Sequence, residues 1–437
     1  MMYAKLIFLP FFILFNTSIS ERNSVEVNLS AIQEDLPYLL PFYKRLHQMP
    51  EVSLHEKETS ALLASELRKI GITVTENIGN TYGIVGIFKN GEGPTLLYRT
   101  DMDALPMAEK TGLPYASSKI HEANGTKSAV MHSCGHDMHM TTWLGTARAL
   151  VRMKDQWKGT LMLIGQPAEE IGAGAKAMLE AGLYEKFGVP DYAIGLHCSP
   201  TIPAGKVGYG KGFTMATSES VNITVYGIGA HGASPHMSVD PIVLSSLLIM
   251  DLQTITSRNL KPIESAVVTV GSIHAGTASN IIPDEVKLGL TLRTFKEDVR
   301  QMIHKRIVEI CNGTAMAAGL PPERYPKVEF PPVYIAANYN NELLVDKLTQ
   351  SAKNAIGPEQ VVDAEVQMVA EDFSAYGRTT HKVPSVLYWL GTAPEERIKK
   401  NDLPGLHSPF YYPEPEKSLE TGILVTTKSL LDLFNGK

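Results

Sequence analysis

Hydrophobic residues recur along this chain at two spacings, and the spacing changes with position. Residues 32–71 read as helix, with Leu62, Leu67 and Ile70 on one repeating apolar side and Gly71 as a natural stop. Short, continuously apolar runs follow at 82–88, 95–98, 161–164 and 192–196, alternating with helical stretches at 136–154 and 173–179. A strand without alternating polar residues is buried on both faces, so this half predicts an α/β layer structure whose sheet is covered by helices.

After Gly212 the pattern shifts. It predicts a strand over 213–226, a helix over 241–258 and strands over 266–270 and 286–294. A helix over 296–318 follows, with Val299, Met302, Ile303, Ile307 and Ile310 on one broad face, and then a closing strand over 328–334. The order β-α-β-β-α-β is that of a split βαβ, ferredoxin-like unit, one sheet with both helices on one face. From about Asn338 the text returns to helix and then strand, and the apolar run 385–390 is placed to rejoin the large sheet. The expected division is a two-domain α/β architecture: a large domain in two parts, 21–212 and 335–437, and a smaller domain, 213–334, inserted between them.

Composition narrows the reading. A length of 437 residues leaves room for two or three folding units with sizeable cores. With 44% hydrophobic and 20% charged residues, and 35 Gly and 27 Pro scattered, collagen, a long coiled coil and a mostly disordered chain are poor descriptions. A formal charge of -6 without a basic block gives no footprint for nucleic acid or an anionic membrane, so nucleic acid is not an expected partner. Residues 1–20 stand apart. Lys5 is their only charged side chain, and 6–15 is an apolar run too short to cross a bilayer but suited to the core of a signal peptide. Ser18 and Ser20 supply the small residues ahead of a cleavage point at Ser20/Glu21. The expectation is an exported protein, periplasmic if bacterial and otherwise secreted or in the secretory pathway, with no stable membrane insertion after processing; an uncleaved apolar anchor or a disordered leader is the alternative reading of the segment. Cys134, Cys198 and Cys311 are too few and too far apart for a dense disulfide framework.

Candidate chemistry gathers at the ends of the apolar runs. Asp101 and Asp103 follow the run 95–98, Glu169 and Glu170 follow 161–164, and His197 ends 192–196. In open α/β sheets, ligands bind outside the carboxyl ends of the strands, where these separated segments can converge. The densest cluster is Met131-His132-Ser133-Cys134-Gly135-His136-Asp137-Met138-His139. Thiolate and imidazole both suit zinc, and Gly135 allows the bend that turns Cys134 and His136 toward one ion. Taken singly, a buried inert cysteine, a solvated Glu-Glu loop or a loop histidine is the plainer description. A cysteine nucleophile at Cys134, with His136 or His139 as base, is a second functional reading.

Taken together, these segments resemble the M20 metallopeptidase family, and within it the amidohydrolase branch of hippurate hydrolases, aminoacylases and auxin-conjugate hydrolases. The resemblance runs over about 38–433 and is carried by Asp101-Met102-Asp103-Ala104-Leu105-Pro106, Cys134-Gly135-His136-Asp137, Gln166-Pro167-Ala168-Glu169-Glu170 and Gly195-Leu196-His197. Downstream it continues in His231-Gly232-Ala233-Ser234-Pro235-His236, 276–283, Ala370-Glu371-Asp372-Phe373 and Gly405-Leu406-His407-Ser408-Pro409. It implies two divalent metal ions per subunit, zinc first and manganese, cobalt or nickel as alternatives. Cys134, His136, Glu170, His197 and His407 are the implied ligands, with Cys134 bridging. Glu169 is implied as the general acid/base, and Asp103 as a residue that organises the ligands from behind. Asp101 stands where other branches place a metal-binding His. The inserted domain is implied to be a lid and dimerisation domain, with His231 polarising the scissile carbonyl across a homodimer interface and Asn280 reaching the substrate cleft; His236 has no assigned role.

The implied function is metal-dependent hydrolysis of small N-acyl amino acids, hippurate- or N-acetyl-like, to a carboxylic acid and a free amino acid. A carboxypeptidase or dipeptidase, or an N-acetyl-diaminopimelate deacetylase, would use the same chemistry on a different substrate. A ligand-binding protein without turnover is the non-enzymatic alternative.

Overall fold

In a computed structural model, which describes Val27 and residues 29–437, the apolar runs become neighbours in one eight-stranded sheet. The leader expected at 1–20 lies outside the described residues. The strand order is Thr73–Ile78, Gly83–Asn90, Gly159–Gln166, Thr95–Asp101, Tyr192–Pro203, Ser385–Ala393, Val207–Tyr209 and Val361–Asp363. Thr95–Asp101 runs parallel to Gly159–Gln166 and to Tyr192–Pro203, which in turn runs parallel to Ser385–Ala393. These four central strands therefore end on the same side, and the chemistry-bearing segments follow from that edge.

Alternate residues of the central strands enter two different cores, which explains their unbroken apolar text. Leu96, Tyr98, Leu161, Leu163, Ile194, Tyr388 and Leu390 pack under the helices Leu36–Gln48, Lys57–Lys69, His136–Arg152, Glu342–Ile356 and Pro415–Phe434. Leu97, Met162, Ile164, Ala193, Leu387 and Trp389 face the opposite side, with Ala175, Met178 and Leu183. Burial of each such Leu or Ile contributes roughly 1.5–3 kcal/mol, so both faces are held apolar. No helix among the described residues is long and apolar enough to cross a membrane.

The small domain is a four-stranded antiparallel sheet in the order Ala266–Ala275, Glu285–Thr294, Glu219–Tyr226, Lys327–Glu329. Its strands alternate. Val221, Ile223, Val225, Val286, Leu288, Leu290 and Leu292 point into one core. Leu244, Leu248 and Leu252 of the helix Pro241–Thr254 and Ile303, Ile307 and Cys311 of the helix Glu297–Ala317 cover that same face.

Three stretches differ from the sequence pattern. The helical text of 32–71 is interrupted, because Met49, ahead of Pro50, leaves the helical region (φ -124°, ψ 45°); the chain re-enters helix only at Lys57–Lys69. The strand expected over 213–226 is two strands. Gly212–Met215 pairs with Asn338–Asn340 beside the large sheet, whereas Glu219–Tyr226 belongs to the small one. Between them the chain crosses from one domain to the other, tied by Thr217 N–H to Thr294 O at 2.7 Å and by an antiparallel bridge from Ser218 to Ile335. The strand expected over 328–334 is only Lys327–Glu329, since the return crossing follows immediately.

Candidate metal centre

Cys134 closes the loop that precedes the helix His136–Arg152, and Gly135 makes the corner. Gly135 sits at φ +82°, and a Cβ there would meet Cys198 Sγ at 3.0 Å, so both conformation and space demand glycine. His136 donates its Nδ1–H to the backbone oxygen of Asp103 at 2.8 Å. A carbonyl can only accept, so this bond fixes Nδ1 as a protonated nitrogen and leaves Nε2 as the one available to a metal once it gives up any proton. His197, on the strand Tyr192–Pro203, does the same through Nδ1 and Cys198 O at 2.9 Å. Its Nε2 stands 3.6 Å from Cys134 Sγ. His407 arrives from a distant loop, held at φ +60° with its N–H on Ser133 O at 2.9 Å, and brings Nε2 to 3.3 Å from both Cys134 Sγ and Glu170 Oε2.

These side chains form overlapping ligand groups: Cys134, His136 and His197; Cys134, Glu170 and His407; and His136, Glu169 and Glu170. Cys134 is common to the first two. His136 Nε2 and Glu170 Oε1 are buried without a hydrogen-bond partner and face each other at 3.8 Å. Buried polar atoms are rarely left unsatisfied, and a divalent cation held by these residues would satisfy both. The donor set of thiolate, imidazole and carboxylate fits zinc and also suits manganese, cobalt or nickel.

Charge favours a cation here. Burial works to lower the pKa of His136, but the carboxylates of Asp101, Asp103 and Glu170 outweigh it and raise it to about 10. The pocket thus holds positive charge strongly, and metal binding would displace that proton. Burial, reinforced by Glu371 and Glu170, pushes Glu169 well above the usual carboxylate range. Burial and the neighbouring Glu170 and Glu169 likewise push the Cys134 thiol up. Thiolate is the nucleophilic form, so this setting opposes a free cysteine nucleophile.

His139, the alternative base for that cysteine, has no free nitrogen. Its Nδ1–H goes to Asp101 Oδ1 at 2.7 Å, and its Nε2 accepts Cys198 N–H at 2.8 Å. The same bond engages Asp101, whose Oδ2 takes Arg99 at 2.8 Å. Burial opposes the charge of Asp101, but His136, His139 and Arg99 hold its carboxyl well below the usual range. Asp103 lies one layer behind the ligands, accepting from Ser53 Oγ at 2.6 Å, Glu169 N–H at 3.1 Å and Glu170 N–H at 3.0 Å.

Above the ligands opens a cleft of about 360 Å³. Cys134, Glu169, Glu170, His197 and His407 line its floor, and Met215, Ile335, Val369, Trp389 and Leu406 supply apolar wall. Arg293, on the small-domain strand Glu285–Thr294, also lines it. Burial lowers the pKa of this guanidinium, and among the described residues no carboxylate lies within ion-pair distance; Nη1 meets only Thr217 O, at 3.5 Å. The sequence pattern did not single out Arg293, because one arginine on an alternating strand carries no local signal. Arg99 was equally silent, although it bonds Gln166, Asp101, Glu371 and Asp372.

His231 and Asn280 are brought together, but away from this floor. Ala230–His231 pairs with Ile281–Ile282, and Gly232 N–H donates to Asn280 O at 2.8 Å. Both side chains are exposed, and neither lines the cleft of its own chain.

Residues 97–432 match peptidase family M20/M25/M40. The N-acetyl-L-cysteine deacetylase of Bacillus subtilis (strain 168) is 37% identical over 372 residues, 85% of this chain and 84% of that protein. A hippurate hydrolase of Campylobacter jejuni is 39% identical over 334 residues, 76% and 83% of the two chains. Among solved structures, the Bacillus subtilis YXEP protein, a dinuclear metal-binding M20 peptidase, superposes with a TM-score of 0.76 at 28% identity, covering 92% of this chain and 99% of that one.

Proposed function

The chain belongs to peptidase family M20/M25/M40, and from that membership we propose that its substrates are small N-acyl amino acids carrying a free carboxylate. It is a metal-dependent amidohydrolase with a dinuclear divalent-metal site. The observation that carries the substrate reading is Arg293, a guanidinium without a carboxylate partner among the described residues that lines the same cleft as the ligands. Arginine binds a carboxylate through two parallel N–H bonds, and the α-carboxylate of an N-acyl amino acid supplies that partner. The apolar wall suits an acyl group, and the names of the deacetylase and hippurate hydrolase relatives point to the same class.

Cys134, His136, Glu170, His197 and His407 would hold the two ions, which when bound polarise the amide carbonyl and acidify a water. Glu169 takes the proton of the attacking water and returns it to the departing nitrogen, so that a free amine leaves. Its burial beside other carboxylates raises its pKa, which strengthens it as a proton acceptor. Asp103 keeps the Glu pair fixed through two backbone N–H groups.

The test is a panel of N-acetyl and N-benzoyl amino acids, their methyl esters, auxin conjugates, N-acetyl-diaminopimelate, dipeptides and C-terminal peptides, assayed with Zn, Mn, Co and Ni and followed by mass spectrometry. Free N-acyl amino acids are expected to give the highest kcat/KM. Arg293→Ala should lower that value about 10- to 100-fold, mostly through KM, and erase discrimination against the methyl esters. A preference for dipeptides over every N-acyl substrate would sink this assignment.

The same reading includes a homodimer through the small domain. The helix Pro241–Thr254 buries one side against its sheet yet leaves Val243, Leu247 and Met250 more than half exposed, an apolar face suited to a second copy. His231 and Asn280 would then serve the partner's cleft. Light scattering should report a dimer at assay concentrations, and His231→Ala should lower kcat. A monomer with unchanged turnover in that variant would remove both assignments.

A further inference from the structure

Three consecutive backbone N–H groups at the Glu pair point at carboxylates. Glu169 and Glu170 use the two oxygens of Asp103, while Ala168 donates to Glu56 Oε1 at 2.8 Å. Ala168 is left-handed, at φ +53°, a conformation that costs energy for any residue with a Cβ and persists only where its surroundings enforce it. This turn converts the strand Gly159–Gln166 into the loop bearing Glu169 and Glu170.

Glu56 is fully buried and comes from a segment remote in sequence. It occupies the N-cap position of the helix Lys57–Lys69, yet its side chain makes no capping bond there. Glu51 caps that helix instead, accepting from Glu58 N–H at 3.1 Å, Thr59 N–H at 2.8 Å and Thr59 Oγ1 at 2.9 Å. The Glu56 carboxylate therefore reaches away from its own helix, to Leu54 N–H at 2.9 Å and to Ala168.

We propose that Glu56 is a positioning residue for the hydrolytic site, holding the left-handed turn at Ala168 so that Glu169 meets the attacking water and Glu170 meets the metal. This rests on the roles of Glu169 and Glu170 given above. Without its acceptor, Ala168 can relax toward the extended region, which displaces both glutamates together. Small displacements of that kind cost catalysis steeply.

The test compares Glu56→Ala, Glu56→Asp, Glu56→Gln and Glu51→Ala in the full chain. Each is measured for kcat and KM at saturating zinc, for zinc affinity by competition with a chromogenic chelator, and for Tm. Glu56→Ala is expected to lose about 10- to 100-fold in kcat with KM nearly unchanged, and to bind zinc about 10-fold more weakly. Glu56→Asp, too short to reach Ala168, should show the same losses in part and stands in if the alanine variant does not fold. Glu56→Gln retains an oxygen acceptor and should recover both quantities to within a few fold. Glu51→Ala should lower Tm while leaving kcat and zinc affinity alone. Zinc affinity reads Glu170 without any proton transfer, so it separates failure of this inference from failure of the Glu169 role. Wild-type kcat and zinc affinity in folded Glu56→Asp or Glu56→Ala, or a glutamine variant as impaired as alanine, would overturn it.

Discussion

Glu169→Gln is expected to lower kcat by about 10³-fold while both metal equivalents remain bound. Glutamine is nearly isosteric, and its backbone N–H can still donate to Asp103, so the loop geometry at 3.1 Å is preserved. What disappears is the carboxylate that accepts and returns a proton. Glu169 also enters a group with His136 and Glu170, but it is Glu170 that is shared with Cys134 and His407, so the remaining ligands should keep metal content nearly unchanged. Glu169→Asp, which keeps the chemistry but withdraws it by one methylene, should fall between. Metal analysis alongside steady-state kinetics decides the matter. Near-normal turnover in the glutamine variant would end the proposed mechanism even if the amidohydrolase activity stood.

Exhaustive chelation should abolish hydrolysis, and adding back a divalent ion should restore it, with the rank of Zn, Mn, Co and Ni reporting the preferred metal. Because Cys134 belongs to two ligand groups, Cys134→Ala should impair both metal positions, whereas His407→Ala should weaken chiefly the one shared with Glu170. Metal binding also stabilises the fold, so Tm should rise with ion concentration in wild type and much less in Cys134→Ala. Full hydrolysis by metal-free protein would exclude this chemistry. A trapped acyl-Cys134 intermediate would instead favour a thiol mechanism, which the committed nitrogens of His139 and the raised pKa of Cys134 oppose. Tight binding of N-acyl amino acids with no turnover in any metal form would mark a binding protein.

Much of this centre was legible along the chain because its elements are short and local. The apolar runs at 95–98, 161–164 and 192–196 announce strands buried on both faces, and polar residues at their carboxyl ends announce the sheet edge where ligands bind. The Cys134-Gly135-His136 corner could be read from its glycine, which allows the bend, whereas the packing against Cys198 that leaves no room for a Cβ came only with the structure. Where a helix ended was less legible, as at Pro50, and so was the point near 216–218 where a single apolar stretch changes sheets. Hydrophobic pattern reports burial, but not which core does the burying.

The chain's own text therefore determined the layer type, the order β-α-β-β-α-β of the inserted unit, and the residue types able to hold a cation. Only the tertiary structure decided which of them meet. It set His407 3.3 Å from Cys134, gave Arg293 a wall of the cleft, engaged both nitrogens of His139, and carried Glu56 to Ala168 rather than to its own helix. It also set His231 and Asn280 apart from the cleft of their own chain. The physical reason is separation along the chain. Periodicity and turn chemistry act over a few residues, whereas these contacts join segments brought together only when sheet order and domain crossing are fixed.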